Sequence, residues 1–195
     1  MVEAERRVPE PVTSIFGLGG EQRFRCEIAR VTASAGVSTS WLDGLKPPLH
    51  GLVPYDCAVL ARWDTATERY LPVLEDGDTE ALTRYLRTST AAAELQRLGF
   101  YRIAWPMVVH RVGVTLAGTS AWRDHLWPAG FRDGLGVGLF TENGRHVGFL
   151  SLLTYRSQVV TVTAAALLHG VNALLGSALE CSPRDEQDGR PGPPG

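Results

Sequence analysis

Apolar and polar positions change period several times along the chain, and each change marks an element. From Glu21, the apolar residues Phe24, Ile28 and Val31 recur at i, i+4 and i+7, with Ala35 extending the stripe. That spacing predicts a helix which Gly36 ends. A shorter helix is expected over Thr39 to Leu52, interrupted or kinked by Pro47 and Pro48. The runs "YDCAVLARWD" (Tyr55 to Asp64) and "RYLPVLED" (Arg69 to Asp76), joined by "TATE", read as a hairpin. Pro72 puts the second strand at a sheet edge, because proline cannot donate to a ladder on both sides. "DGDTEALTRYLRTSTAAAELQRLGF" reads as helix, with Asp78 or Thr79 as its cap. Leu95 and Leu98 mark a second short helix ending at Gly99.

Further on, "PMVVHRVG" is expected to be a short strand and "TSAWRDHLWPAGF" a capped helical turn that Pro128 stops. "GLGVGLFTENGRHVGFLSLLT" (Gly134 to Thr154) places two apolar runs around a polar turn, which predicts a second hairpin. Gly134, Gly136 and Gly138 alternate with Leu135, Val137 and Leu139, so one face of the first strand is nearly bare. Glycine weakens a strand interior, so something must lie close against that face. A terminal helix of the fold and a ligand both satisfy the pattern, and parity does not choose between them.

Ser157 to Leu179 predicts one long helix, capped by Ser157 and apolar around most of its girth. One side would pack on the sheet and the other on another helix, in the same chain or in a partner subunit. The order of elements describes an α+β domain over residues 21–180: a central antiparallel sheet, terminal helices and a middle helical segment. Residues 1–20 are expected to be irregular, and residues 181–195 to form a disordered linker or tail pointing to a further module.

Composition narrows the function. Of 195 residues, 44% are hydrophobic and 21% charged, a soluble globular balance, and a net charge of −2 offers no footprint for direct nucleic-acid contact. The amino terminus has no apolar run of signal-peptide length, and the most apolar stretch, around Thr161 to Leu175, falls short of a membrane span, so a soluble protein is expected. Cys26, Cys57 and Cys181 form no CxxC pair, which favours a reducing, cytoplasmic setting over a disulfide framework.

The two hairpins carry a family resemblance. "LVPYDCAVLARWDTATERYLPV" (Leu52 to Val73) is similar to the first hairpin of GAF domains, where a helix ends in a Val-Pro-type turn. "GLGVGLFTENGRHVGFLSLLT" resembles the GAF hairpin that precedes the last helix, and the likeness covers residues 21–180 in element order. Within that family the chain looks most like the amino-terminal sensor modules of actinobacterial LuxR-type transcriptional regulators. The resemblance implies terminal helices on one face of the sheet, often in a dimer bundle, and a helix-and-loop lid enclosing a pocket on the other. It implies a small-molecule-sensing regulatory domain that signals through a helical dimer interface. No helix-turn-helix pattern is present in these residues.

Candidate ligand-binding residues cluster in "TSAWRDHLWPAGFRDG" (Thr119 to Gly134). Trp122, Trp127 and Phe131 would wall an apolar pocket, and His125 or Arg132 would orient what it holds. Against this stands the plainer reading in which the tryptophans are core and the charges solvated. His110, after an apolar run, would be the axial ligand if the domain were a haem or redox sensor. The five histidines have no metal-site spacing, so no metal is expected and no cofactor is assigned. Catalysis is not expected either. "GLGVG" is not GxGxxG because Leu139 replaces the third glycine, and there is no GxSxG elbow or P-loop. The cysteines do not resemble those of methionine-sulfoxide-reducing GAF enzymes, nor is there a cysteine placed for bilin attachment. The cyclic-nucleotide Asn-Lys-x-Asp-type signature is missing too. The remaining alternative is an interaction or dimerisation domain without a ligand, which would have a collapsed pocket between the sheet and residues 100–133.

Overall fold

A computed structural model describes residues 18–112, 116 and 118–183 of the chain. The predicted irregular start and tail therefore lie mostly outside the described residues. Two sequence-distant hairpins meet in one antiparallel sheet. β1 (Cys57–Asp64) pairs with β2 (Arg69–Gly77), and β4 (Asp133–Phe140) pairs with β5 (His146–Thr154). β1 joins β5 from Cys57 opposite Leu153 to Arg62 opposite Gly148. With the two-residue β3 (Met107–Val108) against β4, the strand order is β2-β1-β5-β4-β3. Pro72 lies on the edge strand β2, as expected, where the ladder passes from Leu60 opposite Leu74 to Ala61 opposite Pro72 and skips Val73.

Alternation along the strands sorts side chains to two faces. Ala58, Leu60, Leu135, Val137, Leu139, Leu150 and Leu152 face one apolar layer. That layer is built by α1 (Leu18–Thr32), α2 (Trp41–Leu52), α7 (Val162–Gly170) and α8 (Asn172–Cys181). Val59, Ala61, Tyr70, Phe149 and Leu153 face the other. There the cover comprises α3 (Glu80–Leu86), α4 (Ala91–Arg97), the helical turn α5 (Val109–Val112) and a six-residue π-helical segment, α6 (Ala121–Leu126). This is the expected α+β arrangement, with terminal helices behind the sheet and a helix-and-loop lid in front.

Several boundaries differ from the sequence reading. α1 begins at Leu18 rather than Glu21. α2 runs unbroken through Pro47 and Pro48, held by the buried face of Trp41, Leu45, Leu49 and Leu52. The expected strand "PMVVHRVG" keeps only Met107 and Val108 in the sheet before turning helical. Thr79 occupies the N-cap of α3 without capping it, because its hydroxyl donates to Glu75 instead (2.8 Å).

The long terminal helix is two. α7 starts four residues later than Ser157 would place it, at Val162, and Thr161 caps it by accepting from the Ala164 amide (3.1 Å). α8 follows at a bend of 49° around Val171. The buried Asn172 explains the break. β3 reaches only Leu135 and Gly136, so farther along β4 the backbone has no strand neighbour on that side among the described residues. The Asn172 amide donates to the Gly138 carbonyl (2.8 Å) and its oxygen accepts from the Phe140 amide (3.0 Å). One turn later Gly176 lies against Phe140, and a Cβ there would overlap the Phe140 carbonyl oxygen. The start of the tail is docked as well, since Trp41 Nε1 donates to the Ser182 hydroxyl (3.1 Å). No single helix among the described residues is long and apolar enough to cross a membrane.

Candidate functional site

The bare face of β4 points toward the lid, not toward the terminal helices. A Cβ on Gly136 would sit 3.0 Å from the Phe100 ring, and one on Gly138 would overlap the Phe100 carbonyl oxygen. Phe100 meets Phe149 edge-on at 5.4 Å, so an aromatic side chain from the loop after α4 fills the strip that the glycines vacate. Beneath Phe100 about 50 Å³ remains between β4 and the lid, bordered by Phe100, Gly136, Phe149, Leu116 and Trp122. That is room for water, and too little for an organic ligand.

A second cavity, of about 410 Å³, lies within the lid itself. Val109 and Leu116 form one apolar wall, and Trp122 and Trp127 another. Arg123 and Arg132 supply its charge, and the His110 ring also lines it. Val109, Leu116 and Trp122 also border the small sheet-side void, so Trp122 stands between the two spaces.

Of the six sequence candidates, Trp122, Trp127, Arg132 and His110 meet at this cavity. Trp122 is 6% exposed and belongs to the core as well as to the wall, whereas Trp127 is 56% exposed. Arg132 lies over the Trp127 ring, 4.3 Å from its centroid, and its Nη1 donates to the Trp127 and Phe131 carbonyls (3.0 and 2.8 Å). Phe131 and His125 are elsewhere. Phe131 is fully buried and stacked on Tyr155 at 4.7 Å, and the His125 ring packs 5.7 Å from Tyr85.

Two buried carboxylates that the sequence reading did not assign hold the site in shape. Asp133 is fully buried at the head of β4. His110 Nδ1 is 3.0 Å from both of its oxygens, and the His110 amide donates to it as well. Asp133 also accepts from the amides of Val159 (2.9 Å) and Val160 (3.3 Å), on the segment that leads into α7. One carboxylate thus joins the cavity wall to the entry of the terminal helices. The bond at Nδ1 leaves only Nε2 of His110 for any further partner.

Glu94, 5% exposed on α4, takes the place of a cap on α6. It accepts from the amides of Ser120 (2.7 Å) and Ala121 (3.1 Å) and from the Ser120 hydroxyl (2.7 Å). Burial works to raise its pKa, but the donors from Ser120 and Ala121 outweigh it and hold the carboxyl below its ordinary value. Both acids had a signal in the sequence. Glu94 falls on the apolar stripe of Ala91, Leu95 and Leu98, and Asp133 shares its strand face with Leu135, Val137 and Leu139.

A separate aromatic cluster surrounds His146. The Tyr101 ring lies 4.4 Å away, and the Tyr70 hydroxyl is 3.0 Å from Nε2. Burial pushes the imidazole pKa down to about 4. Among the described residues, no group of three or more His, Cys, Asp or Glu is placed to hold a metal ion.

These layers and this strand order define the GAF fold, and comparison with solved structures agrees. The chain is similar to the GAF domain of a putative sensor histidine kinase from Pseudomonas syringae pv. tomato (TM-score 0.57, 14% identity, covering 83% of this chain and 86% of that one). It is also similar to the phycoerythrobilin-bound GAF domain of a cyanobacterial phytochrome (TM-score 0.58, 11% identity, 83% and 95% covered). Against the bacteriophytochrome RpBphP3 from R. palustris the TM-score is 0.60 at 11% identity, covering 85% of this chain. The chain spans only 38% of that phytochrome's length, and 38% of the Stigmatella aurantiaca photosensory core it also resembles. No protein-family profile and no curated protein matches the sequence.

Proposed function

We propose that this chain is a small-molecule-sensing regulatory domain whose ligand sits in the lid cavity and whose output leaves through the terminal helices. One observation carries the reading: Asp133 holds His110 on the cavity wall and the Val159 and Val160 amides before α7 at the same time. A ligand that favours one position of His110 would bias the path into α7 through that shared acceptor. Coupling of this kind is typically worth ~1–3 kcal/mol and cannot exceed the ligand's differential affinity for the two states. The resemblance to LuxR-type sensor modules supports a place in a cytoplasmic transcriptional regulator. Val162 and Leu174, exposed on α7 and α8, support a dimer through the first and last helices.

The test combines a thermal-shift screen of small organic compounds with hydrogen exchange. A stabilising compound should slow exchange at residues 159–164 as well as in the lid, and Asp133→Asn should abolish the first effect while sparing the second. Stabilisers that leave residues 159–164 unchanged would refute the transmission route. A screen without stabilisers would favour the ligand-free dimerisation domain.

A further inference from the structure

We infer that the lid cavity takes an aromatic carboxylate: a flat apolar body of one or two rings bearing a single acid group. The inference rests on the sensory reading above and names the chemistry of its ligand. The walls set the body. Trp122, Trp127, Leu116 and Val109 supply apolar and aromatic surface around about 410 Å³, within the size range of cavities that bury small organic ligands.

The lining charges set the polar end, and those of the described residues, Arg123 and Arg132, are basic. Among the described residues no Asp or Glu lines the cavity. Arg123 is already neutralised, because its Nε and Nη2 both donate to the Asp124 carboxylate at 2.7 Å. Arg132 is different. Its hydrogen bonds among the described residues all leave from Nη1 to main-chain carbonyls, so its positive charge meets no carboxylate and Nε and Nη2 are uncommitted. Stacking on Trp127 holds the guanidinium plane at the cavity, ready to receive two acid oxygens side by side. The His110 ring, its Nδ1 held by Asp133, adds a fixed planar surface beside it.

A cationic ligand would face the guanidinium of Arg132, and no acid among the described lining residues offsets it. A neutral ligand would leave that charge partly desolvated and unpaired, which is costly. An acid satisfies both the charge and the aromatic walls.

The experiment uses three probes of one shape, titrated calorimetrically into the chain at pH 7.5: 2-naphthoate, 2-naphthamide and 2-naphthylmethylamine. The acid should bind at least tenfold more tightly than the amide, and the amine should show no heat of binding. Arg132→Gln should erase the preference of acid over amide, and Arg132→Lys should restore part of it. Unchanged thermal melting would show that both variants fold. Equal binding of acid and amide, or tighter binding of the amine, would overturn the acid assignment while leaving a sensory cavity in place. Failure of all three probes would also overturn it. If the compound screen yields no stabiliser either, the sensory reading falls as well.

Discussion

On the helix side of the sheet, Leu135, Val137 and Leu139 are fully buried and α8 closes down on β4 through Gly176. On the lid side the same strand offers Gly136 and Gly138, whose depth Phe100 fills, and Gly134, which lies against Leu153. Both sides use glycine for close approach, with different partners. Behind β4 the α8 backbone meets the strand backbone directly. In front, a loop-borne ring plugs the gap, and the remaining volume moves outward into a cavity lined by the lid. In the proposed sensory reading, a site built in the lid can vary without disturbing the layer behind β4.

Substitutions can break or sharpen that contrast. Trp122→Ala removes the partition between the two lid spaces and should destabilise the domain by about 4 kcal/mol, the usual cost of truncating a buried tryptophan. A loss under about 1 kcal/mol in urea denaturation would mean that the lid does not depend on this wall. Gly176→Ala forces a Cβ onto the Phe140 carbonyl and should cost about 3 kcal/mol by the same measurement. Asp133→Asn keeps the shape but turns an NH₂ toward donors, and should cost about 2 kcal/mol. NMR should then show the His110 ring released from its fixed orientation.

His146 gives a smaller, pH-dependent effect. Its pKa falls to about 4 in the folded chain from 6.5, so between those values the unfolded chain binds more protons. Stability is complete above about pH 6.5 and declines as the pH falls toward 4. Taken at about half strength for solvent screening of the part-exposed ring, the decline is about 1.5 kcal/mol. His146→Phe should flatten that slope in denaturation measured from pH 7 to 4.5. Trp127→Ala, at the exposed rim, should change stability by less than about 0.5 kcal/mol. A large loss there would merge the two kinds of lid tryptophan into one.

The sheet was legible because its signals are local: alternation marks the strands, and Pro72 marks the edge. The bare face of β4 was legible as a feature, while its partner Phe100, far away in sequence, was not. Of the candidate residues, Trp122, Trp127 and Arg132 from the segment Thr119 to Gly134 share a cavity with His110, while Phe131 and His125 lie elsewhere. Treating the charges there as solvated missed Asp133, whose partners His110 and Val159 are 23 and 26 residues away. Long-range pairing of this kind leaves no periodic trace. The only hint is an acid placed where the pattern asks for leucine. The break between α7 and α8 was hidden the same way. Asn172 reads as a lone polar residue in an apolar helix until the unpaired backbone of β4 is set beside it.

That asparagine also guards the molecule against itself. A strand whose amides and carbonyls lack neighbours is a template on which another chain's strand can assemble. By occupying the Gly138 carbonyl and the Phe140 amide, Asn172 blunts β4 where β3 stops. Any rearrangement that lifts α8 from the sheet would therefore expose a sticky seam as well as a hydrophobic face. Freedom from edge-to-edge aggregation is tied to the seating of the last helix.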